Sequence, residues 1–174
     1  MDKGLVRYKE IISEIKKLGT AKCGRIIDCG CGNGILCHLL QKEGYENVTG
    51  YDNSSKPDYD VDFRFCDICR LEERANSVDV AILSEVLEHL TNEKLLLVAR
   101  EIYRVLKVSS YMIITTPDSQ ADIDKTQEHI QLIDSEKLMT FFWPFIKVKS
   151  RTIYKNKNCK KSGSGNLLVV MRKA

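Results

Sequence analysis

The stretch RIIDCGCGNG, from Arg25 to Gly34, places three alternating glycines behind an acid that lies in a short apolar run. Glycine lets a ligand approach the backbone closely and tolerates backbone angles that other residues avoid. The apolar residues predict a buried strand from Arg25 to Cys29, and the glycines predict a turn that leads into a helix. The stretch therefore predicts a strand, a turn and a helix that together form a ligand site.

The glycine spacing and the acid distinguish between two kinds of ligand. A dinucleotide-binding loop has the pattern G-x-G-x-x-G, and here Ile35 stands where its third glycine would be. Asp28 would also repel a pyrophosphate across a short, poorly screened distance, which disfavours a nicotinamide-dependent dehydrogenase. S-adenosylmethionine carries an ammonium and a sulfonium, and its carboxylate can bind the free N–H groups of the following helix. The predicted cofactor is therefore S-adenosylmethionine.

Length and composition limit the kind of protein. With 174 residues, 43% of them hydrophobic and 29% charged, the chain is expected to form one soluble domain with its own core. Charges interrupt the first 19 residues every few positions, so we predict neither a signal peptide nor a membrane span, and expect a cytoplasmic protein. Seven cysteines, an odd number, predict free thiols. Cys66 and Cys69 have zinc or redox spacing, but no second pair completes a four-ligand site.

Charge is distributed unevenly along the chain. The net charge is +3, but the segment from Lys137 to Ala174 contains ten Lys or Arg and no acid. Within it, the sequence KNKNCKKSGSG, Lys155 to Gly165, could bind phosphate or another anion. This segment lacks the interleaved aromatic residues that stack on bases, so a solvated loop is the simpler interpretation. RNA nevertheless stays open as a partner.

Hydrophobic periodicity predicts strands and helices in alternation. Helices are predicted at Val6–Leu18, Gly34–Glu43, Asn92–Leu106 and Ser135–Phe142, and strands at Arg25–Cys29, Asn47–Tyr51, Val61–Cys66, Ser77–Ser84 and Tyr111–Thr116. Short links in this order predict a Rossmann-like, doubly wound α/β sheet that is mostly parallel, with ligand sites at the carboxyl ends of its strands.

The end of the chain predicts a different connection. Two further strands, near Phe145–Tyr154 and Asn166–Met171, follow without an intervening helix and predict an antiparallel hairpin at the sheet edge. The sheet would then have seven strands. We expect residues 1–174 to be one domain, with an N-terminal helix in 1–20, a cofactor-binding core in 21–142 and the hairpin in 143–174.

Four elements in this order resemble the class I S-adenosylmethionine-dependent methyltransferases, in the broad branch that contains the ubiquinone-biosynthesis O-methyltransferases. The sequence DCGCGNG, Asp28 to Gly34, resembles their first motif. Asp52 is similar to the acid that meets the ribose hydroxyls, and Asp67 to the acid that meets the adenine amino group. The sequence SEVLEHL, Ser84 to Leu90, resembles the segment after the fourth strand. The resemblance covers roughly residues 20 to 142.

The resemblance implies a cofactor site built from four strand ends. Its members would be Asp28, Gly30, Cys31, Gly32, Asn33, Gly34, Asp52, Asn53, Cys66, Asp67, Ile68, Ser84 and Glu85. Taken singly, Asp52 could simply end a strand and Asp67 could cap a helix. The order of the four elements together favours the cofactor.

A second set of residues suggests a metal or a proton acceptor. Glu85, Glu88 and His89 would share one face of a helical turn, and His129 follows the fifth strand at the same end of the sheet. Two carboxylates and two imidazoles could bind Mg²⁺, Mn²⁺ or Fe²⁺, which would orient vicinal hydroxyls. The set resembles the metal ligands of small-RNA 3′-terminal 2′-O-methyltransferases and of the ubiquinone branch. Alternatively, these residues pack the fold and His129 is a general base or a hydrogen-bonded structural residue.

The sequence thus predicts transfer of a methyl group from S-adenosylmethionine to a hydroxyl or amine of a small-molecule acceptor. Positioning would supply most of the rate, and His129 or His89 would remove the acceptor's proton. Two alternatives stay open: a metal-dependent RNA ribose 2′-O-methyltransferase, and a non-catalytic subunit that binds S-adenosylmethionine. We predict no membrane partner, and the sequence favours no particular oligomeric state.

Overall fold

The apolar runs of the chain form one seven-stranded sheet in the computed structural model, which describes residues 5–54, 56–124, 127–154 and 165–174. The strands are β1 (Ile26–Cys29), β2 (Val48–Asp52), β3 (Asp62–Phe65), β4 (Val78–Ser84), β5 (Leu106–Pro117), β6 (Ile146–Ile153) and β7 (Asn166–Arg172). The helices are α1 (Leu5–Lys17), α2 (Ile35–Lys42), α3 (Asn92–Val105), α4 (Gln120–Ile123) and α5 (Ser135–Phe141), with a 3₁₀ turn at Leu87–His89.

The strand order across the sheet is β3-β2-β1-β4-β5-β7-β6. The first five strands are parallel, and β7 pairs antiparallel with both β5 and β6. The predicted fold class, including the hairpin at the edge, is confirmed. Because β1 lies between β2 and β4, the order reverses there, and such a reversal opens a crevice at the carboxyl ends of the strands.

Helices cover both faces of the sheet. On one face, α1 and α2 place Ile11, Ile15, Leu36 and Leu40 against the strands, and on the other α3 and α5 place Leu95, Val98, Ile102 and Leu138. Two of the helices begin at residues whose side chains accept a backbone N–H, Thr91 before α3 and Asp134 before α5. No helix in the described ranges is long and apolar enough to cross a membrane.

The structure departs from strict alternation at two places. Residues 66–77 join β3 to β4 without a helix, so the β3 end of the sheet is thinly covered and Phe65 is exposed. The predicted third helix ends one residue early, at Val105, because Leu106 already pairs with Val78 of β4. The expectation of a single domain stays a prediction. The described residues do not include residues 155–164, which form most of the basic segment between β6 and β7 and contain Cys159.

A partly buried polar network ties the start of β1 to β2 and to the β3–β4 link. Glu73, 10% exposed, accepts hydrogen bonds from the Arg25 guanidinium and from the Tyr51 hydroxyl at 2.8 Å. Arg25 also donates to the Asn47 side chain at 2.8 Å and to the Thr49 hydroxyl at 2.7 Å. Since Tyr51 precedes Asp52, this network fixes the strand that carries one of the predicted cofactor residues.

Replacement of Glu73 should therefore destabilise the fold strongly. Glu73→Ala leaves the Tyr51 hydroxyl and part of the Arg25 guanidinium buried without partners, so we expect the free energy of unfolding to fall by about 2 to 4 kcal/mol. Glu72→Ala is the matched control, because the Glu72 carboxylate is 63% exposed and only faces Arg64 at 3.5 Å. That variant should change stability by no more than about 0.5 kcal/mol. Urea titrations that gave equal losses for both variants would contradict a structural role of the network.

Candidate functional site

A cleft of about 480 Å³ lies at the carboxyl ends of β1 to β4, where the strand order reverses. The predicted cofactor residues that line it are Gly30, Gly32, Asp52, Asn53, Cys66, Asp67, Ile68 and Glu85. Its other lining residues are Ser54, Val86, His89, Leu90, Lys94 and Glu128. The structure thus brings residues from four separate strand ends to one cavity.

Two glycines of the opening stretch have no acceptable substitute. Gly30 has a φ of 79°, and an added Cβ would stand 2.4 Å from a methyl carbon of Val86. Gly34 has a φ of 80°, and its Cβ would stand 2.7 Å from the Cβ of Pro57. A side chain at either position would meet both backbone strain and a clash. The loop therefore approaches the segment after β4 on one side and the segment after β2 on the other.

Asp52 at the end of β2 is an anion held in a fixed orientation. Its Oδ2 accepts the Gly32 backbone N–H at 2.8 Å, and its Oδ1 accepts the Ser54 backbone N–H at 2.8 Å and the Ser54 hydroxyl at 2.5 Å. Burial raises the pKa of Asp52, but these hydrogen bonds outweigh burial and hold the pKa below its usual value. Asp52 thus presents a pre-oriented hydrogen-bond acceptor beside the glycine loop.

Asp67 lies two residues after β3 and closes a short turn. Its Oδ1 accepts the Cys69 backbone N–H at 2.9 Å, and this bond holds the pKa of Asp67 below its usual value. No helix follows in residues 66–77, so Asp67 does not cap one. Its neighbour Cys66 is free, like every cysteine in the described part of the chain. The acid, Cys66 and Ile68 together form the β3 end of the cleft.

Several predicted cofactor residues do not line the cleft. Asp28, Cys31, Asn33, Gly34 and Ser84 are not among its lining residues. Asp28 is only 2% exposed, with one carboxylate oxygen next to the Cys37 thiol at 3.7 Å and the other without a partner. Burial raises the pKa of Asp28 to about 7, against smaller opposing effects of Cys37 and Arg7. Its charge is therefore set back from any ligand in the cleft.

Glu85, the first residue after β4, is fixed by contacts from distant parts of the chain. Its Oε2 accepts a hydrogen bond from the Asn166 side chain at 2.8 Å and lies 3.6 Å from the Arg7 guanidinium. Its Oε1 is buried without a partner. Arg7 also donates to the Ser84 hydroxyl at 3.0 Å. A carboxylate of the cleft is thus held by α1 and β7 and keeps one oxygen free of protein donors.

Glu88, His89 and His129 form a second, compact group. One potential ligand atom from each lies within 4.8 Å of the others, and the two imidazole rings pack edge to face at 4.7 Å between centroids. Both oxygens of Glu88 and the Nδ1 of His129 are buried without partners. Burial, and then the charge of Glu85, raise the pKa of Glu88 above its usual range. Glu85 itself lies outside this group, so the structure unites three of the four predicted metal ligands.

Three residues that line or support the cleft were not predicted from the sequence. Ser54 lines the cleft and bonds to Asp52, and the spacing of an acid and a serine two residues later could have indicated it. Lys94 lines the cleft from the first turn of α3, and Arg7 reaches Ser84 across 77 positions of sequence. No local pattern predicts these two, because both depend on how α1 and α3 pack against the sheet.

Comparison with a family model identifies the same core. The model described as a methyltransferase domain matches residues 6–148, most of the chain. Two similar curated proteins are ubiquinone biosynthesis O-methyltransferases. The mitochondrial protein of Rattus norvegicus is 31% identical in an alignment of 118 residues that covers 59% of this chain and 32% of that protein. The protein of Bartonella quintana (strain Toulouse) is 26% identical in an alignment of 103 residues that covers 53% of this chain and 40% of that protein.

These relatives are considerably longer than the matched part. The alignments cover less than half the length of either relative, so the chain corresponds to a portion of each.

Among solved structures, a SAM-dependent methyltransferase from Archaeoglobus fulgidus superposes with a TM-score of 0.73 at 18% identity, covering 95% of this chain and 94% of that one. This superposition shows a shared fold.

The buried carboxyl of Asp28 predicts an unusual pH dependence of stability. Because its folded pKa is raised to about 7, the unfolded chain ionises first, and stability falls as pH rises from about 4 towards 7. Asp28→Asn removes this ionisation. In cofactor-free thermal melts, we expect the melting temperature of the variant, relative to the parent, to rise between pH 4.5 and about pH 7 and to level off towards pH 8.

The test compares how the difference in melting temperature changes with pH, because the buried amide of Asp28→Asn also lowers stability by an amount that does not depend on pH. Between pH 4.5 and pH 8 this ionisation changes the free energy of unfolding by roughly 3 kcal/mol. Asp60→Asn, at an exposed position, serves as the control and should show no such trend. A difference between Asp28→Asn and the parent that stayed constant with pH would show that Asp28 is ionised throughout.

Proposed function

The chain belongs to the methyltransferase domain family, and on that premise we propose that it transfers the methyl group of S-adenosylmethionine to a hydroxyl or amine of a small molecule. The resemblance to class I methyltransferases is confirmed by the family match, the relatives and the shared fold. The observation that carries the proposal is the cleft, where the glycine loop, Asp52 and Asp67 meet although they are far apart in sequence.

We place the cofactor along the strand ends in the order of the sheet. The adenine lies beside Asp67 and Ile68 at the end of β3, and the ribose hydroxyls donate to Asp52 at the end of β2. The methionyl part then lies over Gly30 and Gly32, between β1 and β4. This order supports S-adenosylmethionine over a dinucleotide, because Glu85 lines the cleft beside Gly30 and Gly32 and would repel a second phosphate there.

The reaction is an in-line displacement. The acceptor oxygen or nitrogen attacks the methyl carbon, the carbon–sulfur bond breaks, and the sulfonium becomes the neutral thioether of S-adenosylhomocysteine. Holding the two reacting atoms about 3 to 3.5 Å apart supplies most of the rate. A neutral acceptor also loses a proton, which a nearby histidine can accept.

Of the two candidate bases, His89 has the better position. It lines the cleft, whereas His129 is not among the lining residues. The Nδ1 of His89 lies 3.0 Å from the Glu128 backbone carbonyl. Since a carbonyl only accepts, Nδ1 carries the hydrogen and leaves Nε2 to accept a proton. This geometry supports His89 as the base and His129 as its neighbour.

The acceptor is assigned as a class. Both curated relatives are named O-methyltransferases, which favours a hydroxyl over an amine. An RNA acceptor was left open by the basic segment near residues 155–165, most of which lies outside the described residues, and by the resemblance of the predicted metal ligands to those of small-RNA methyltransferases. The names of the curated relatives favour a small-molecule acceptor instead. The cytoplasmic location stays a prediction.

A divalent cation fits the group formed by Glu88, His89 and His129. The oxygens of Glu88 and the Nδ1 of His129 have no hydrogen-bond partner, so their lone pairs could coordinate a cation. The contact of the His89 Nδ1 with a backbone carbonyl is of the kind that orients metal-bound histidines. Two imidazoles and one carboxylate favour Mn²⁺ or Fe²⁺ over Mg²⁺. When bound, the cation would orient the acceptor and lower the pKa of its hydroxyl.

Calorimetry tests the cofactor assignment directly. S-adenosylmethionine and S-adenosylhomocysteine should both bind, and Asp52→Asn should weaken binding by roughly 1 to 3 kcal/mol because a ribose hydroxyl loses a charged acceptor. NADH serves as the comparison ligand. Tighter binding of NADH than of either adenosyl ligand would overturn the assignment, and unchanged binding by Asp52→Asn would remove Asp52 from the ribose site.

Metal titration tests the histidine group separately from activity. We expect Mn²⁺ to bind the purified protein with one-to-one stoichiometry, and both His129→Ala and Glu88→Gln to weaken binding at least about tenfold. His38→Ala is the matched control, because this third histidine stacks on Tyr59 and does not belong to the group.

Failure of the parent protein to bind Mn²⁺, Fe²⁺ or Mg²⁺ would eliminate the metal. The histidines would then serve as a base, and His89→Ala should lower turnover by roughly 10² to 10⁴ with cofactor affinity intact. Cofactor binding without any turnover on hydroxyl or amine acceptors would instead favour the non-catalytic subunit.

A further inference from the structure

The helix α3 carries apolar side chains on the side that faces away from the sheet. Its inner side, with Leu95, Val98 and Ile102, belongs to the core. Leu96 and Leu97 lie on the outer side, where they are 46% and 48% exposed. Single exposed leucines are ordinary, but two adjacent ones on the outside of one helix leave a continuous apolar surface in contact with water.

An open groove of about 380 Å³ extends this apolar surface from α3 towards α5. Leu96 lines the groove on the α3 side, and Trp143, 78% exposed, lines it just beyond the end of α5. Ala99, Tyr103, Phe141 and Pro144 complete its apolar lining. An exposed apolar patch that includes a tryptophan and is bordered by charged residues is typical of a protein–protein contact.

Two opposite charges flank the leucines on the same side of the helix. Glu93 lies three residues before Leu96 and four before Leu97, and Arg100 lies four and three residues after them. Residues at these spacings share one side of a helix. Both charged residues are exposed, and among the described residues neither forms an ion pair. The outer side of α3 therefore presents an acid, two leucines and a base in a row.

The spacing of these four residues makes the row complementary to itself in the antiparallel direction. The point midway between Leu96 and Leu97 is also midway between Glu93 and Arg100. When two copies of α3 pack antiparallel with their midpoints together, Glu93 of one copy lies level with Arg100 of the other, about 5 Å along the axis from the centre. The leucines of both copies then meet at the centre. A parallel pairing would instead place like charges against each other.

This match favours a second copy of the chain over other occupants of the surface. A contact between identical patches forms each interaction twice about a twofold axis. Two ion pairs and a central leucine cluster would satisfy the exposed charges and cover the apolar side chains together. An anionic membrane surface would attract Arg100 but repel Glu93. Complementary charges around an apolar centre also fix the direction in which two helices pair.

We propose that the chain forms a symmetric dimer through α3, in which Leu96 and Leu97 form the centre of the contact and Glu93 of each copy pairs with Arg100 of the other. The groove with Trp143 lies along the edge of this contact, since Leu96 belongs to both. The dimer requires neither the cofactor nor methyl transfer, so its failure would leave the proposed function unaffected.

Sedimentation velocity of the full chain measures the association directly. We expect the parent protein to have twice the mass of one chain and to dissociate on dilution. Glu93→Arg alone, or Arg100→Glu alone, places like charges opposite each other in a pair of identical copies, so each should weaken association at least about tenfold. Glu46→Arg is the matched control, because it reverses an exposed acid in the link between α2 and β2 and should leave the mass unchanged.

A mixture of the two single variants tests the antiparallel arrangement. Glu93→Arg gives the row two cations, and Arg100→Glu gives it two anions, so both charge contacts of a mixed antiparallel pair are attractive. Equimolar mixing should therefore restore the dimer, and the double variant with both substitutions should dimerise by itself. Recovery on mixing also verifies that each single variant is folded.

Three results would overturn the proposal. A parent protein that stays monomeric at every concentration would exclude the dimer, and binding of that monomer to vesicles of anionic lipid would assign the apolar surface to a membrane. A dimer that persists unchanged in both single variants would use another surface. Loss of the dimer in the single variants without recovery on mixing, although circular dichroism shows both to be folded, would exclude the antiparallel pairing of Glu93 with Arg100.

Discussion

The parallel pairing of β1 with β2 on one side and β4 on the other is the constraint from which the site follows. Parallel strands end at the same edge of a sheet, so residues that follow three or four strands meet there whatever their separation in sequence. Asp52, Asp67 and Glu85 come together for this reason. The backbone hydrogen bonds of the central strands thus set distances that no local contact could maintain.

The sequence predicted what depends on local chemistry. Glycines at 30 and 34 indicated positive φ values and close backbone approach, and both are present. Apolar runs followed by acids located the strand ends and therefore the edge that carries the cleft. The pattern is informative because a buried strand and a tight turn each restrict the residue types at their own positions, without reference to the rest of the chain.

What the sequence could not supply depends on side-chain direction and on tertiary packing. The i, i+3, i+4 spacing of Glu85, Glu88 and His89 assumed one helical turn, but Glu85 has a φ of 58° and the turn begins only at Leu87. Asp28 has the residue type of a ligand contact and yet lies behind the wall, next to the Cys37 thiol. Neither difference changes the hydrophobic pattern, which is the main signal that sequence reasoning uses.

The acids whose buried oxygens lack a hydrogen-bond donor affect both the stability of the fold and the binding of a ligand. Asp28, Glu85 and Glu88 each keep at least one buried oxygen without a donor, and Arg7 is the cation that touches Glu85 directly. Burial costs these groups hydration and raises the pKa of Asp28 and of Glu88, which favours their neutral forms, whereas Glu85 lines the cleft beside the Arg7 guanidinium. A cationic ligand removes part of that cost only in the folded state, and it therefore stabilises the fold as it binds. The same unfavourable electrostatics that weaken the ligand-free protein thus provide the affinity for a positively charged cofactor.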